Sequence, residues 1–113
     1  MKVAIVGSRG LLVEDLGQYL PDAVTEIVTG GAKGIDSCAM RYAEVHQIRL
    51  VTLPPDYRRY GRGAPLKRNI EIIEYADCVL AFWDGKSRGT RFVIDECKRK
   101  NVPVRIYLHQ ACE

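Results

Sequence analysis

Apolar runs alternate along this chain with stretches in which apolar residues recur every three to four positions. The first run, residues 3–6, is short and continuous, as expected of a strand buried on both faces. Similar runs at 27–29, 50–53, 78–83 and 104–108 predict further strands. Between them, Leu12, Leu16, Tyr19 and Leu20 share one face of a first predicted helix, weakened by Gly17 and ended at Pro21. Ile35, Cys38, Ala39, Tyr42 and Ala43 predict a second helix, and Leu66, Ile70 and Ile73 a third. Thr90, Val93, Ile94 and Cys97 predict a fourth, with Lys98, Arg99 and Lys100 on its outer face and Asn101 as its C-cap. Residues 54–65 break the periodicity. They read as a long loop, and long loops in small domains are often functional.

Strands separated by helices predict an α/β fold. We expect a single Rossmann-like domain with a central parallel sheet of about five strands, helices on both faces and right-handed crossovers. The domain is expected to span residues 1–110, with 111–113 as a frayed tail.

Composition adds bounds. A chain of 113 residues suffices for one compact domain, and 47% hydrophobic with 27% charged residues is ordinary globular usage. A net charge of +3 does not by itself imply nucleic acid. The first apolar run is too short for a secretory core, and no run approaches the roughly 20 residues of a membrane helix. The expected compartment is the cytoplasm, with no membrane partner. Cys38, Cys78, Cys97 and Cys112 lack CxxC spacing, and no histidine stands at ligand spacing to them, so they read as structural thiols and no metal is expected. His46 and His109 stand alone and read as structural or surface residues.

The most informative segment is IVTGGAKGID at 27–36. A strand ends in Gly30 and Gly31, passes Ala32 and Lys33, and a third glycine, Gly34, opens a helix carrying Asp36 in its first turn. Such a turn aims unpaired backbone N–H groups at one point, which suits an anion. Ligands of open α/β sheets bind beyond the carboxyl ends of the strands. There, GSRG at 7–10, GGAKG at 30–34, the 54–65 loop with Arg58, Arg59 and Arg62, and DGKSRGT at 84–90 all combine glycine with a cation. The helix-to-strand connections lack that combination.

We therefore expect phosphate between Gly7, Ser8 and Arg9, the 30–34 turn, and Gly89-Thr90, with helix N-termini near Gly34 and Gly89 adding their dipoles. Asp36 and Asn69 are candidates for sugar hydroxyls, Tyr57 and Trp83 for a base, and Arg68 for the cavity rim. Motifs for other chemistries are absent: there is no Walker-type phosphate loop, no GxGxxG and no GxSxG elbow.

The string at 27–45 resembles the GGAxGxDxxA signature of the SLOG superfamily, which includes the DNA-processing protein A (Smf) proteins and the LONELY GUY phosphoribohydrolases. The likeness is nearest to a small bacterial and phage branch with VGSR (here 6–9), GGAxGxD (30–36), a proline–aromatic loop (54–57), an RN-ending stretch (63–69) and a GT turn (89–90). The resemblance implies a Rossmann-like fold, a nucleotide or nucleotide-derived small molecule as partner, no bound cofactor, and a homodimer, for which the third and fourth helices would serve. The function it implies is binding of a phosphate-containing ligand, as a sensor or accessory module.

Two alternatives accompany it. The phosphoribohydrolases release the base from nucleoside 5′-monophosphates with a Glu and an Arg. Arg68 is the sole catalytic candidate here, and Val93 stands at the Glu position, so enzyme activity is left open. The DNA-processing proteins bind single-stranded DNA, and Arg9, Lys33, Arg58, Arg59 and Arg62 resemble such a basic rim.

Overall fold

A computed structural model describes residues 1–31 and 33–109. Ala32 and the expected tail at 111–113 lie outside the described residues. The strands are β1 (Lys2–Gly7), β2 (Glu26–Thr29), β3 (Arg49–Thr52), β4 (Cys78–Trp83) and β5 (Val104–Leu108). They form one five-stranded sheet in the order β3-β2-β1-β4-β5, and every pairing is parallel. The helices are α1 (Ile35–Val45), α2 (Tyr57–Tyr60), α3 (Ala64–Tyr75) and α4 (Arg88–Lys100).

The period of two along β1 divides the core. Val3 and Ile5 face a cluster built with Ile35, Ala39 and Ala43 of α1, Leu11 and Leu16. Ala4 and Val6 face a second cluster with Ile72 and Ile73 of α3 and Val93, Ile94 and Cys97 of α4. Helices therefore cover both faces, as the strand pattern requires. The apolar faces of α3 and α4 lie against the sheet, and their side chains there are buried. β3 and β5 are the outer strands and are more exposed than their apolar runs suggest: Leu50 is 39% and Leu108 70% exposed.

Two local expectations need correction. The predicted first helix is only a 3-10 turn, Leu16–Tyr19. Leu11 is buried and Leu12 is 64% exposed, so the core positions are Leu11 and Leu16, five apart and off helical spacing. Gly17 lies so near Tyr42 that an added Cβ would stand 2.8 Å from its hydroxyl. The segment is thus a packed connection shaped by tertiary contact. The 54–65 segment, expected to be irregular, contains α2, capped by Asp56 Oδ1 accepting from the Arg59 amide at 3.2 Å, and a 3-10 turn, Gly61–Gly63.

On α3 the expected face of Leu66, Ile70 and Ile73 is only partly the buried one, since Leu66 is 47% exposed at the cavity and Ala64, Ile72 and Ile73 are the buried residues; on α4 the periodicity holds. Thr90, Val93, Ile94 and Cys97 form the buried face of α4, and Asn101 ends it in the left-handed conformation at φ 59°. Among the described residues, no helix is long and apolar enough to cross a membrane, and no group of His, Cys, Asp or Glu could hold a metal ion.

Candidate functional site

The direction in which strands are added to the sheet reverses between β1 and β4. From β1 the chain adds β2 and β3 on one side, then crosses to place β4 and β5 on the other. A crevice opens at such a switch point beyond the strand ends, because the loops after the two central strands part to opposite faces. A cavity of about 470 Å³ lies there, within the roughly 300–1,000 Å³ of small-molecule sites. Its walls come from the loop after β1, Gly30, the start of α1, α3, and the loop leading into α4.

The two sides of the crevice are tied together. The Ser8 amide donates to the Phe82 carbonyl at 3.0 Å, continuing the β1–β4 pairing past the strand end. Ser8 is 2% exposed, and its Oγ accepts from the Asp84 amide at 3.3 Å. Asp84 Oδ1 in turn accepts from the amides of Ser87 and Lys86, each at 2.8 Å. Those amides hold the Asp84 carboxyl below the usual carboxylate range. Ser87 caps α4 by accepting from the Thr90 amide at 3.5 Å, and its hydroxyl donates to Thr90 Oγ1 at 3.3 Å. The α4 N-terminus is thereby fixed at the cavity, where first-turn amides lack intrahelical acceptors.

The glycines divide by what fills the space beside them. A Cβ on Gly7 would stand 2.9 Å from Ile35 Cγ2, with other atoms of that side chain nearer still. A Cβ on Gly34 would collide with the Arg9 carbonyl, and Gly34 also has φ +77°. A Cβ on Gly30 would collide with the Arg68 guanidinium. Gly31, also at φ +77°, faces Thr52 and does not line the cavity. Gly89 differs: nothing lies within 4 Å of an added Cβ. Open backbone is thus found at α4, whereas the glycines at 7, 30 and 34 are closed over by protein atoms.

Of the residues singled out from sequence, Gly7, Ser8, Arg9, Gly30, Asp36, Arg68, Asn69, Gly89 and Thr90 line the one cavity. Gly31, Lys33, Gly34, Tyr57 and Trp83 do not, and Ala32 lies outside the described residues. Tyr57 is 59% exposed on α2. Trp83 is half-buried against the second core cluster, and its Nε1 donates to the Ser87 carbonyl at 3.0 Å. Where a base was expected to meet aromatic rings, the cavity offers aliphatic walls instead: Val6, Pro65, Leu66, Ile72 and Val93.

Arg58, Arg59 and Arg62 are exposed on the α2 segment, outside the cavity lining. The Arg59 guanidinium and the Lys67 ammonium lie 5.2 and 5.7 Å from the Tyr60 ring centroid. Sequence reading missed Gly10, Asp84 and Ser87 as lining residues and the aliphatic wall of α3. The DG step at 84–85 and a serine three before Thr90 are turn and cap signals that locate two of these.

The acids of α4 do not line the cavity. Asp95 pairs with Arg91 at 3.8 Å, and Glu96 pairs with Arg99 at 2.7 Å. At the position where the resemblance to the phosphoribohydrolases implied a glutamate, Val93 presents an alkyl wall, 2% exposed.

Residues 1–60 match the model of the family described as YAcAr: YspA, cpYpsA-related SLOG family. The chain is also similar to the Gene 61 protein of Mycobacterium phage D29, at 36% identity over 84 residues, which covers 69% of this chain and 67% of that protein. No solved structure matches the chain.

Proposed function

This chain belongs to the YspA, cpYpsA-related SLOG family, and from that premise we propose that the cavity between β1 and β4 binds a nucleotide or a nucleotide-derived, phosphate-containing ligand. The observation that carries this reading is the meeting, in one crevice at the switch point, of the open α4 N-terminus at Gly89 with Arg9 and Arg68. Backbone amides and a helix dipole favour an anion there, and the guanidinium groups add charge-assisted hydrogen bonds. The aliphatic patch of Pro65, Leu66, Ile72 and Val93 suits the apolar face of a base.

The ligand is retained rather than cleaved in this reading. Sugar–base cleavage passes through a cationic transition state that a nearby carboxylate stabilises. Val93 supplies none, Asp84 is engaged by two backbone amides, and Asp36, the other carboxylate of the lining, is buried at the start of α1. The protein acts as a binding module, a sensor or accessory component, and its cationic rim serves a small anion rather than a DNA strand.

A thermal-shift panel of nucleoside mono-, di- and triphosphates, cyclic nucleotides, ADP-ribose and a short single-stranded oligonucleotide tests this. Ligand at about 100 times its dissociation constant stabilises a fold by roughly 2.7 kcal/mol. Selective stabilisation by one small nucleotide is expected, with no free base released on incubation with nucleoside monophosphates. A shift with the oligonucleotide alone would replace the proposal by the DNA-binding reading, and base release lost in Arg68→Ala would replace it by the hydrolase reading. A flat panel would remove the nucleotide altogether.

A further inference from the structure

Arg68 is held on two sides by the protein itself. Its Nε donates to Asn69 Oδ1 at 2.8 Å, and its Nη1 donates to the Gly30 carbonyl at 3.1 Å. The first bond is local but not automatic, because neighbouring side chains on a helix diverge by about 100°. The second spans 38 positions of sequence and joins α3 to the turn after β2.

Gly30 explains itself only through this contact. It is not among the glycines with positive φ, so the backbone there makes no demand that alanine would fail. What a side chain would meet is the guanidinium, with Arg68 Cζ 2.8 Å from the added Cβ and Nη1 nearer. Gly30 is a seat for Arg68 rather than a bare surface for phosphate.

Nη2 is the guanidinium nitrogen that takes part in neither of these bonds. The two bonds take two of the five guanidinium N–H groups, the Nε–H and one on Nη1, and so close the Nε side of the two-pronged fork to outside partners. Asp36 lines the same cavity and is 7% exposed, so the surroundings of this guanidinium include a carboxylate as well as an opening.

We propose that Asn69 and Gly30 are positioning residues for Arg68. The amide oxygen and the uncovered carbonyl fix the guanidinium plane so that Nη2 meets an anionic oxygen of the ligand. In this role Asn69 acts through Arg68, its Oδ1 holding the guanidinium rather than reading a sugar hydroxyl. The identity of the anion rests on the proposed nucleotide site, whereas the seat itself is a property of the free protein and is tested without ligand.

The experiment is a double-mutant cycle on thermal stability, read beside the 15N-resolved Arg68 Nε–H signal. Gly30→Ala should lower Tm in the wild-type background and leave it unchanged in the Arg68→Ala background, where the space is vacant; such non-additivity marks direct coupling. The slowly exchanging Nε–H signal should vanish in Asn69→Ala and return in Asn69→Asp, whose carboxylate oxygen can accept in the same place. Equal effects of Gly30→Ala in both backgrounds, or an Nε–H signal unchanged in Asn69→Ala, would overturn the proposal.

AMP is then titrated as the probe. Asn69→Ala should bind it about tenfold more weakly, the scale of one charge-assisted hydrogen bond. Equal AMP affinity in wild type and Asn69→Ala would also overturn the positioning role. If the wild-type protein binds no member of the nucleotide panel while the cycle remains non-additive, the seat stands and the nucleotide reading falls.

Discussion

Replacing Gly89 by alanine separates the fold from the site. Gly89 lies in the first turn of α4, two residues after its cap Ser87, and an added methyl meets nothing within 4 Å. Its φ is outside the left-handed region, so alanine is unstrained. Alanine in a helix is more favourable than glycine by roughly 0.5–1 kcal/mol. Unfolding entropy is about 2.1 cal/mol/K per residue, so for 113 residues this gain corresponds to a rise in Tm of about 2–4 °C. The same methyl enters the cavity that Gly89 lines. The variant should therefore be more stable and bind the ligand identified by the panel more weakly. Differential scanning calorimetry and titration calorimetry on one preparation read both effects. A fall in Tm would refute the claim of open space. A stabilised variant with unchanged affinity would refute placing the ligand at the start of α4.

Other substitutions test the framework. Gly34→Ala combines φ +77°, ψ −123° with a collision against the Arg9 carbonyl, where both sides are backbone; a loss of about 2–4 kcal/mol is expected, seen as a lower urea midpoint at unchanged slope. The Asp84 carboxyl is held below its ordinary range by the Ser87 and Lys86 amides, so its contribution to stability is complete above the unfolded value of about 3.9 and disappears as pH falls through the lower folded value. Asp84→Asn should accordingly show a shallower loss of stability below about pH 4 in urea titrations, and an identical profile would show that the Asx turn carries no charge-dependent stability. Burial raises the Cys97 thiol to about 11, and the side chain is buried; peptide mapping after iodoacetamide treatment at pH 8 should find Cys97 unmodified until denaturant is added.

The sheet was legible because its signals are local. All five strands appear as apolar runs, β3 displaced by one residue, and the buried face of α4 appears as a 3.6-residue period. The residues 11–20 misled because Gly17 and Leu11 take their roles from Tyr42 and the first core cluster, which are remote in sequence. The cavity was legible as a location, since three of the four glycine-bearing loops picked out at the sheet edge, 7–10, 30–34 and 84–90, contribute to its lining, whereas the arginines of 54–65 do not. The work of each glycine was not legible. Gly7, Gly30 and Gly34 look alike in sequence, and only the neighbour that fills each space, Ile35, Arg68 or the Arg9 carbonyl, tells them apart. Trp83 illustrates the same limit, because a strand-end tryptophan gives no sign that its ring packs on the core and its N–H caps a loop carbonyl.

The hydrogen bond from the Asp84 amide to Ser8 Oγ joins positions 76 apart in the chain, and β1 pairs with β4 along the same seam. Neither wall of the crevice exists until that seam closes. The first 60 residues, those matched by the family model, carry the 7–10 loop, Gly30 and Asp36, while Arg68, Asn69 and the 84–90 loop follow later. A nascent chain therefore has no site until α4 has emerged and docked. Opening the middle of the sheet removes the site, so a ligand bound as proposed should slow hydrogen exchange of the β1 and β4 amides as well as of the helix ends that line the crevice. Under the proposed function, occupancy of the crevice should then set how long the whole molecule survives proteolysis.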